Sequence, residues 1–449
     1  MRHLAEYVDE SFAGMPEQVY RNVRIAVTDF FGVAMAALGE PVFRCVLEYV
    51  RETGKGPVPL PGCGDTASAQ QAALAWGTLG HALDYDDISA VMIGHPSVVL
   101  VPVLASVGFE RNCSGKEWME AYIAGYEAMA AVAAAAADAE YARGWHTTSA
   151  IGIFGAAVAA CRLMGLSREQ TEHALGIAAS LASGLRANFG SMTKPLHAGW
   201  AASSGVFAAK LAEKGFESSP AALESAQSYS AVYAGLSEPV PAGGKRHIQD
   251  GIIIKLYPCC GFSSRLVDCS CQIREMDGFA PERVESVVCR ISPQADRVLR
   301  YTDPEDGNQA KFSLEYCTAQ ALLHGQLKIG HFADGYVQKA GSHGGLRDKI
   351  RREVIGELKD APFDRQWTEV IVRLAGGKTL KSRVDMPKGY PQNPLSDKEF
   401  REKFADCLEH GGRGKQSGDL FERLMRFDDA VSVAALVREL ASPQHRVAG

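Results

Sequence analysis

From Met15 to Lys214, apolar residues recur at spacings of three and four, the mark of helices that each bury one face. Pro16 suits a first helical turn and opens a helix carrying VYRNVRIAVTDFFGVAMAAL, which Gly39 ends. PVFRCVLEYVRE is a second helix, and the Gly- and Pro-rich run from Gly54 to Gly64 is a loop. Ser68 to Leu83 is helical again and leads straight into Asp84, Asp86 and Asp87; Pro96 to Phe109 forms another apolar helix. Ser114 caps a long alanine-rich helix, Ser149 to Met164 follows, Ser167 caps REQTEHALGIAASLAS, and Ala198 to Lys214 closes the series. Short connections predict helices packed on one another.

The pattern changes near Lys255. Arg283 to Ser292 alternates polar and apolar residues, as a half-buried strand does, and Trp367–Val384 reads as a hairpin turning at Gly376-Gly377. Helices are expected at Phe312–Leu327, Arg347–Leu358 and Val267–Met276. After Pro394 the chain returns to helices, beginning at a Ser396 cap. The predicted fold is therefore mainly α: a large all-helical domain, residues 1–255 and 395–449, with a smaller α+β domain inserted at 256–394.

Composition adds exclusions. With 46% hydrophobic and 22% charged residues in 449, the chain has the make-up of a globular protein. Its formal charge is −6 and its basic residues are dispersed, which recommends no nucleic-acid partner. No uninterrupted apolar run reaches the ~18 residues of a membrane span, so no membrane is expected. The acidic, amphipathic start is unlike a targeting peptide. Eleven cysteines, an odd number without CxxC spacing, read as reduced thiols of a cytoplasmic protein.

Candidate chemistry collects in two stretches. Asp84, Asp86 and Asp87 follow a helix C-terminus, where the helix dipole prefers cations, and His95 lies one short loop away. They read as an acid/base cluster at a pocket mouth or as a solvated acidic turn. Gly144–Phe207 mixes small residues with His146, Arg186, Asn188, Lys194 and His197. His146 precedes a helix whose free N–H groups suit a carboxylate, or it simply packs on Trp145. Lys194, just before Pro195, is expected in a loop, aimed at an anion or at solvent. His197 repeats the ambiguity. The vicinal Cys259-Cys260 pair is read as a buried hinge, since no zinc-spaced partners follow. Walker A, GxGxxG and GxSxG signatures are absent.

HALDYDD…GHPSVVLVPVL, GWHTTSAIGIFGAAVAACRLMGLS, ALGIAASLASGLRANFGSMTKPLHAGWAA, KLYPCCG and AKFSLEYCTAQALL occur in that order. Together they resemble the MmgE/PrpD family over nearly the whole chain. The resemblance implies a helical domain with an inserted α+β lid, a homodimer, and metal-free, cofactor-free proton chemistry at carbon beside a carboxylate. It places catalytic roles on Asp84, His95, His146 and Lys194. Substrate binding falls on Ser89, Arg186, Lys194, His197, Ser264, Arg265 and a lid tyrosine, Tyr301.

Two departures bear on the reaction. Ile88 stands where cis-aconitate decarboxylases of the family carry threonine, and Ser263, Ser264 and Arg265 occupy a region where the family has a histidine. Both argue against cis-aconitate decarboxylation, and motif detail is closest to the iminodisuccinate epimerase branch. The expected activity is thus a cofactor-free epimerase on a small dicarboxylate. The alternatives are a lyase on a tricarboxylate, such as a 2-methylcitrate dehydratase, and a non-catalytic carboxylate binder.

Overall fold

The computed structural model describes residues 2–236, 240, 246–339, 341 and 343–443. The helical portion runs α1 (Glu17–Ala36), α2 (Pro41–Thr53), a minimal hairpin of β1 (Val58–Pro59) and β2 (Thr66–Ala67), α3 (Ala69–His81) and α4 (Ser97–Val103). It continues with α5 (Gly115–Arg143), α6 (Thr147–Ala150), α7 (Gly152–Met164), α8 (Arg168–Leu181), α9 (Thr193–Glu213) and the short α10 (Ala221–Glu224). Ser114 and Ser167 each close a capping box, with Glu117 and Gln170 respectively, which fixes where α5 and α8 begin.

Small residues set the tightest crossing. A Cβ on Gly77 of α3 would lie 2.7 Å from the Gly199 Cα of α9, so the two backbones touch. This contact brings the start of α9 beside the end of α3. Helices Glu17–Gly39 and Thr147–Met164 are long and apolar enough to cross a membrane, yet 72% and 89% of their apolar windows are buried inside the fold.

The α+β unit holds α11 (Ser264–Arg274), β3 (Val284–Ile291), α12 (Pro293–Val298), α13 (Gly307–Ala310), α14 (Leu314–His324), α15 (Asp334–Val337), β4 (Ile350–Val354), β5 (Thr368–Leu374) and β6 (Thr379–Val384). The sheet order is β4-β3-β5-β6, with β3 and β4 parallel and the other pairs antiparallel. Val370, Val372 and Leu374 alternate onto the buried face, against which α11 packs.

The Arg347–Leu358 helix is not formed. Those residues supply the edge strand β4, registered as Val287↔Ile350. Their charges, which favour a helix in isolation, suit an exposed edge instead, and Arg352 there pairs with Glu315 at 2.6 Å. Past this unit come α16 (Asp397–His410), α17 (Ser417–Leu424) and α18 (Ala434–Ala441). Helix α16 packs on α1 and places Phe400 and Phe404 in the core formed by the N-terminal helices.

Candidate active site at the end of helix α3

Helix α3 ends at His81, and the next turn carries the acids. Asp84 has φ +50°, a left-handed conformation that aspartate tolerates better than most residues. Four buried lysines from four segments hold this turn. Lys311 Nζ donates to the Ala82 carbonyl at 3.0 Å, and Lys403 Nζ to the Tyr85 carbonyl at 3.0 Å. Lys255 Nζ donates to the Asp84 carbonyl and, at 2.7 Å, to its Oδ1. Lys194 Nζ sits 2.8 Å from Asp84 Oδ2 as an ion pair.

Lys194 is not in a loop. Helix α9 starts at Thr193, so Lys194 and Pro195 lie in its first turn, where a missing N–H breaks no helical bond. Lys194 Nζ also reaches His81 Nε2 at 3.0 Å and lies 5.4 and 5.3 Å from the ring centres of Phe189 and Phe312.

A second layer orients the imidazoles. Asp86 Oδ1 is hydrogen-bonded to His81 Nδ1 at 2.8 Å; its Oδ2 lies 2.8 Å from His95 Nδ1, whose hydrogen bond goes to the Asp87 carbonyl at 2.9 Å. His95 Nε2 then lies 3.8 Å from Asp84 Oδ1. Asp87 accepts from the Ser97 backbone N–H at 3.2 Å and from its hydroxyl at 2.5 Å, tying the loop to the start of α4. The His95 N–H donates to Thr148 Oγ1 at 3.0 Å, and Thr147 Oγ1 donates to the Ile93 carbonyl at 2.8 Å. The His95 loop is thereby stapled to α6, whose N-cap position is His146.

Charge states follow from burial and neighbours. Burial would raise the pKa of Asp84, but the Lys194 and Lys255 ammoniums outweigh it and hold the carboxyl well below its usual range. Burial likewise opposes ionisation of Asp86, and His81 and His95 overcome it. Burial lowers His81 to about 3, so its Nδ1–H donates to Asp86 and its Nε2 lone pair accepts from Lys194. His146 is pushed well below 6.5 by burial and then by Lys194, and His197 to about 4 by the same two causes. His146 and His197 meet Nδ1 to Nδ1 at 3.1 Å, one donating and the other accepting.

Asp84, His95, His146 and Lys194 line one narrow cleft between the helices and the α+β unit. Its remaining walls are Ile88, Ile93, Tyr141, Phe189, Phe262, Phe312 and Phe363, with Gly94 and the Cys260-Gly261 turn. Polar groups are thus concentrated on one side of an aromatic enclosure.

The other expected binding residues lie off this lining. His197 stands behind His146. Ser89 faces a neighbouring cavity and shares a hydrogen bond with Tyr126 at 3.0 Å. Arg186 donates to the Tyr141 carbonyl and stacks on its ring. Ser264 is buried in the first turn of α11. Arg265 donates to the Asp385 and Phe363 carbonyls at 3.1 Å each, between the Phe363 and Tyr390 rings, so it knits the α+β unit together. Tyr301 donates to the Phe189 carbonyl at 2.7 Å and covers Gly190, buttressing the aromatic wall.

His81, Lys255, Lys311 and Lys403 were not singled out from sequence as site residues. Lys255 carries a signal in retrospect, a lone charge inside the apolar run GIIIKLY. Lys403 sits among Phe400, Phe404 and Cys407 on the apolar face of α16.

His81, Asp84, Asp86 and His95 present donor atoms within 4.8 Å of one another, a spacing that would suit a metal ion. The donor set argues against one. Asp84 already accepts two ammoniums, and a dication there would face their repulsion.

The MmgE/PrpD N-terminal domain matches residues 2–241, and the MmgE/PrpD C-terminal domain matches residues 257–423. The chain belongs to the MmgE/PrpD family. Relatives of this family member include cis-aconitate decarboxylase of Mus musculus, 27% identical over 88% of this chain and 86% of its own length. The Homo sapiens cis-aconitate decarboxylase is 28% identical over 74% and 71%, and that of Aspergillus terreus 28% over 92% and 91%.

Proposed function

We propose that this MmgE/PrpD protein is a lyase for a small polycarboxylate, moving a proton at the carbon beside a carboxylate while a neighbouring bond breaks. The observation that carries this reading is the buried Asp84–Lys194 pair opening into an otherwise aromatic cleft. Lys194 supplies a counter-charge for one substrate carboxylate, and the enclosure makes that attraction far stronger than in water. His95 Nε2, its ring held through Nδ1 by the Asp87 carbonyl beside Asp86, is the group best placed to give or take the proton, with His146 as its counterpart from α6.

Loss of carbon dioxide suits this enclosure. A carboxylate held against Phe189, Phe312 and Phe363 is poorly solvated, and it becomes neutral as the C–C bond breaks. The bond's electron pair moves into the carbon skeleton, and the carbon it reaches takes the proton. In the dehydration variant a C–H proton goes to the base, its electron pair forms the double bond, and hydroxide leaves with a proton as water. The names of the relatives support a lyase. Ile88, which lines the cleft as an apolar residue, supports a substrate other than cis-aconitate.

Epimerisation is the second reading, favoured by two imidazoles, His95 and His146, entering the cleft from different segments. Proton NMR in D2O with a panel of di- and tricarboxylates separates them. A new vinyl or methylene signal with incorporated deuterium is expected. Exchange with inversion and no new product would replace the lyase by an epimerase, and neither exchange nor product from any acid would sink both.

A further inference from the structure

Tyr141 is the last but two residue of α5 and lines the cleft with Asp84 and Cys260. It is 8% exposed, yet its hydroxyl makes no hydrogen bond with any described residue. Three other buried or half-buried tyrosines are paired. Tyr301 donates to the Phe189 carbonyl, Tyr126 shares a bond with Ser89, and the Tyr229 hydroxyl lies within hydrogen-bond distance of the Ala150 carbonyl and Glu140. The hydroxyl of Tyr141 itself is not sealed inside the protein, so on the cleft lining it is open to a polar group of a ligand.

The ring of Tyr141 is also held with unusual care. The Arg186 guanidinium carbon lies 3.8 Å above its centre, and the same guanidinium donates to the Tyr141 carbonyl. Among the described residues Arg186 Nε has no hydrogen-bond partner, so the arginine is oriented by the ring and the carbonyl rather than by an acid. A guanidinium on the ring face draws electron density from the phenol and strengthens its O–H as a donor.

We propose that Tyr141 is a substrate-contacting residue whose hydroxyl donates to a carboxylate of the substrate, with Arg186 as the positioning residue that fixes its ring. The pair gives this chain a donor at the α5 end of the cleft, a part the sequence had assigned to Tyr301. The proposal rests on the polycarboxylate reading above. It adds a second anchor to Lys194, as an acid with two or three carboxylates requires.

The test measures binding independently of turnover. Calorimetric titration with succinate, tricarballylate, citrate and cis-aconitate is run on wild type, Tyr141→Phe, Arg186→Met, the double variant and Lys194→Ala, each checked for an unchanged folded spectrum. Tyr141→Phe, which removes one oxygen and leaves the packing, is expected to weaken the tightest-bound acid on the order of tenfold or more, the loss of a hydrogen bond to a charged acceptor. Arg186→Met is expected to weaken it less, and the double variant no more than Tyr141→Phe alone, because Arg186 acts through the ring. Unchanged affinity in Tyr141→Phe beside a clear loss in Lys194→Ala overturns the Tyr141 assignment and leaves the polycarboxylate reading standing. If no acid binds wild type, the polycarboxylate reading itself fails and the Tyr141 assignment falls with it.

Discussion

Asp84 and Lys194 meet as a buried ion pair, Oδ2 to Nζ at 2.8 Å, although one follows the end of α3 and the other opens α9. The Gly77–Gly199 crossing makes that distance possible. Lys255 takes the other oxygen of Asp84, so one carboxylate balances two ammoniums. Asp84→Asn keeps the shape and removes the charge. Activity is expected to drop at least about a hundredfold, as for loss of a preorganised electrostatic group, because Lys194 loses the partner that aims its charge into the cleft. Stability should fall by about 3–5 kcal/mol as two buried ammoniums lose their counter-charge. Turnover assays and urea denaturation check both, and an Asn variant of wild-type stability would mean the lysines are not both charged.

Lys403 reaches the acidic turn from α16. Its Nζ lies 2.6 Å from Asp29 Oδ1 and donates to the Tyr85 carbonyl at 3.0 Å, next to Asp84 in sequence. Lys403→Met strands Asp29, which is fully buried, and should destabilise by roughly 3–5 kcal/mol. The double variant Asp29→Asn with Lys403→Met removes both charges and should recover most of that loss. It should not recover kcat, because the Tyr85 carbonyl still lacks its donor and the turn bearing Asp84 relaxes. Full recovery of kcat with stability would reduce Lys403 to a packing element.

Much of this arrangement was legible beforehand, for physical reasons that differ by residue. Ser114, Ser167 and Ser396 mark helix starts because capping is local, and each is found capping. The small residues of α3 and α9 signalled close backbones. Segment β4 was misread because RDKIRREV has helical preferences that only its pairing with β3 overrides. Lys194 was misplaced because a proline after it suggests a loop, whereas a first helical turn accepts proline. Arg265 was overvalued for its charge. Its partners, the Asp385 and Phe363 carbonyls, are backbone groups far along the chain that no local pattern reveals.

The four donors of His81, Asp84, Asp86 and His95 are expected to work without a metal ion. Overnight treatment with EDTA followed by gel filtration should leave kcat and KM unchanged, since Lys194 and Lys255 supply the positive charge at Asp84. Loss of activity on chelation, restored by one divalent ion, would show that an ion displaces a lysine there.

Glu140 gives the clearest pH prediction. Its Oε2 lies 2.9 Å from the Tyr229 hydroxyl, which is also 2.8 Å from the Ala150 carbonyl. Tyr229 has one proton for two acceptors. If it donates to Ala150, Glu140 must be protonated and donate to Tyr229 in turn. Burial agrees, pushing Glu140 up to about 8, well above its unfolded value of 4.5. The folded state therefore holds a proton that the unfolded state has released between those two values. Stability from this source is complete below pH 4.5 and is lost as pH rises toward 8, by at most about 1.4 kcal/mol per pH unit. Glu140→Gln has no proton to lose. Its melting temperature should therefore gain on wild type steadily as pH rises through that window, measured at several pH values by thermal denaturation. Because Ala150 ends α6, the element that presents His146, the same titration should disturb the cleft and lower wild-type kcat at high pH more than that of the glutamine variant. A melting-temperature gap that stays constant with pH would mean Glu140 is ionised throughout and that Tyr229 donates to it rather than to Ala150.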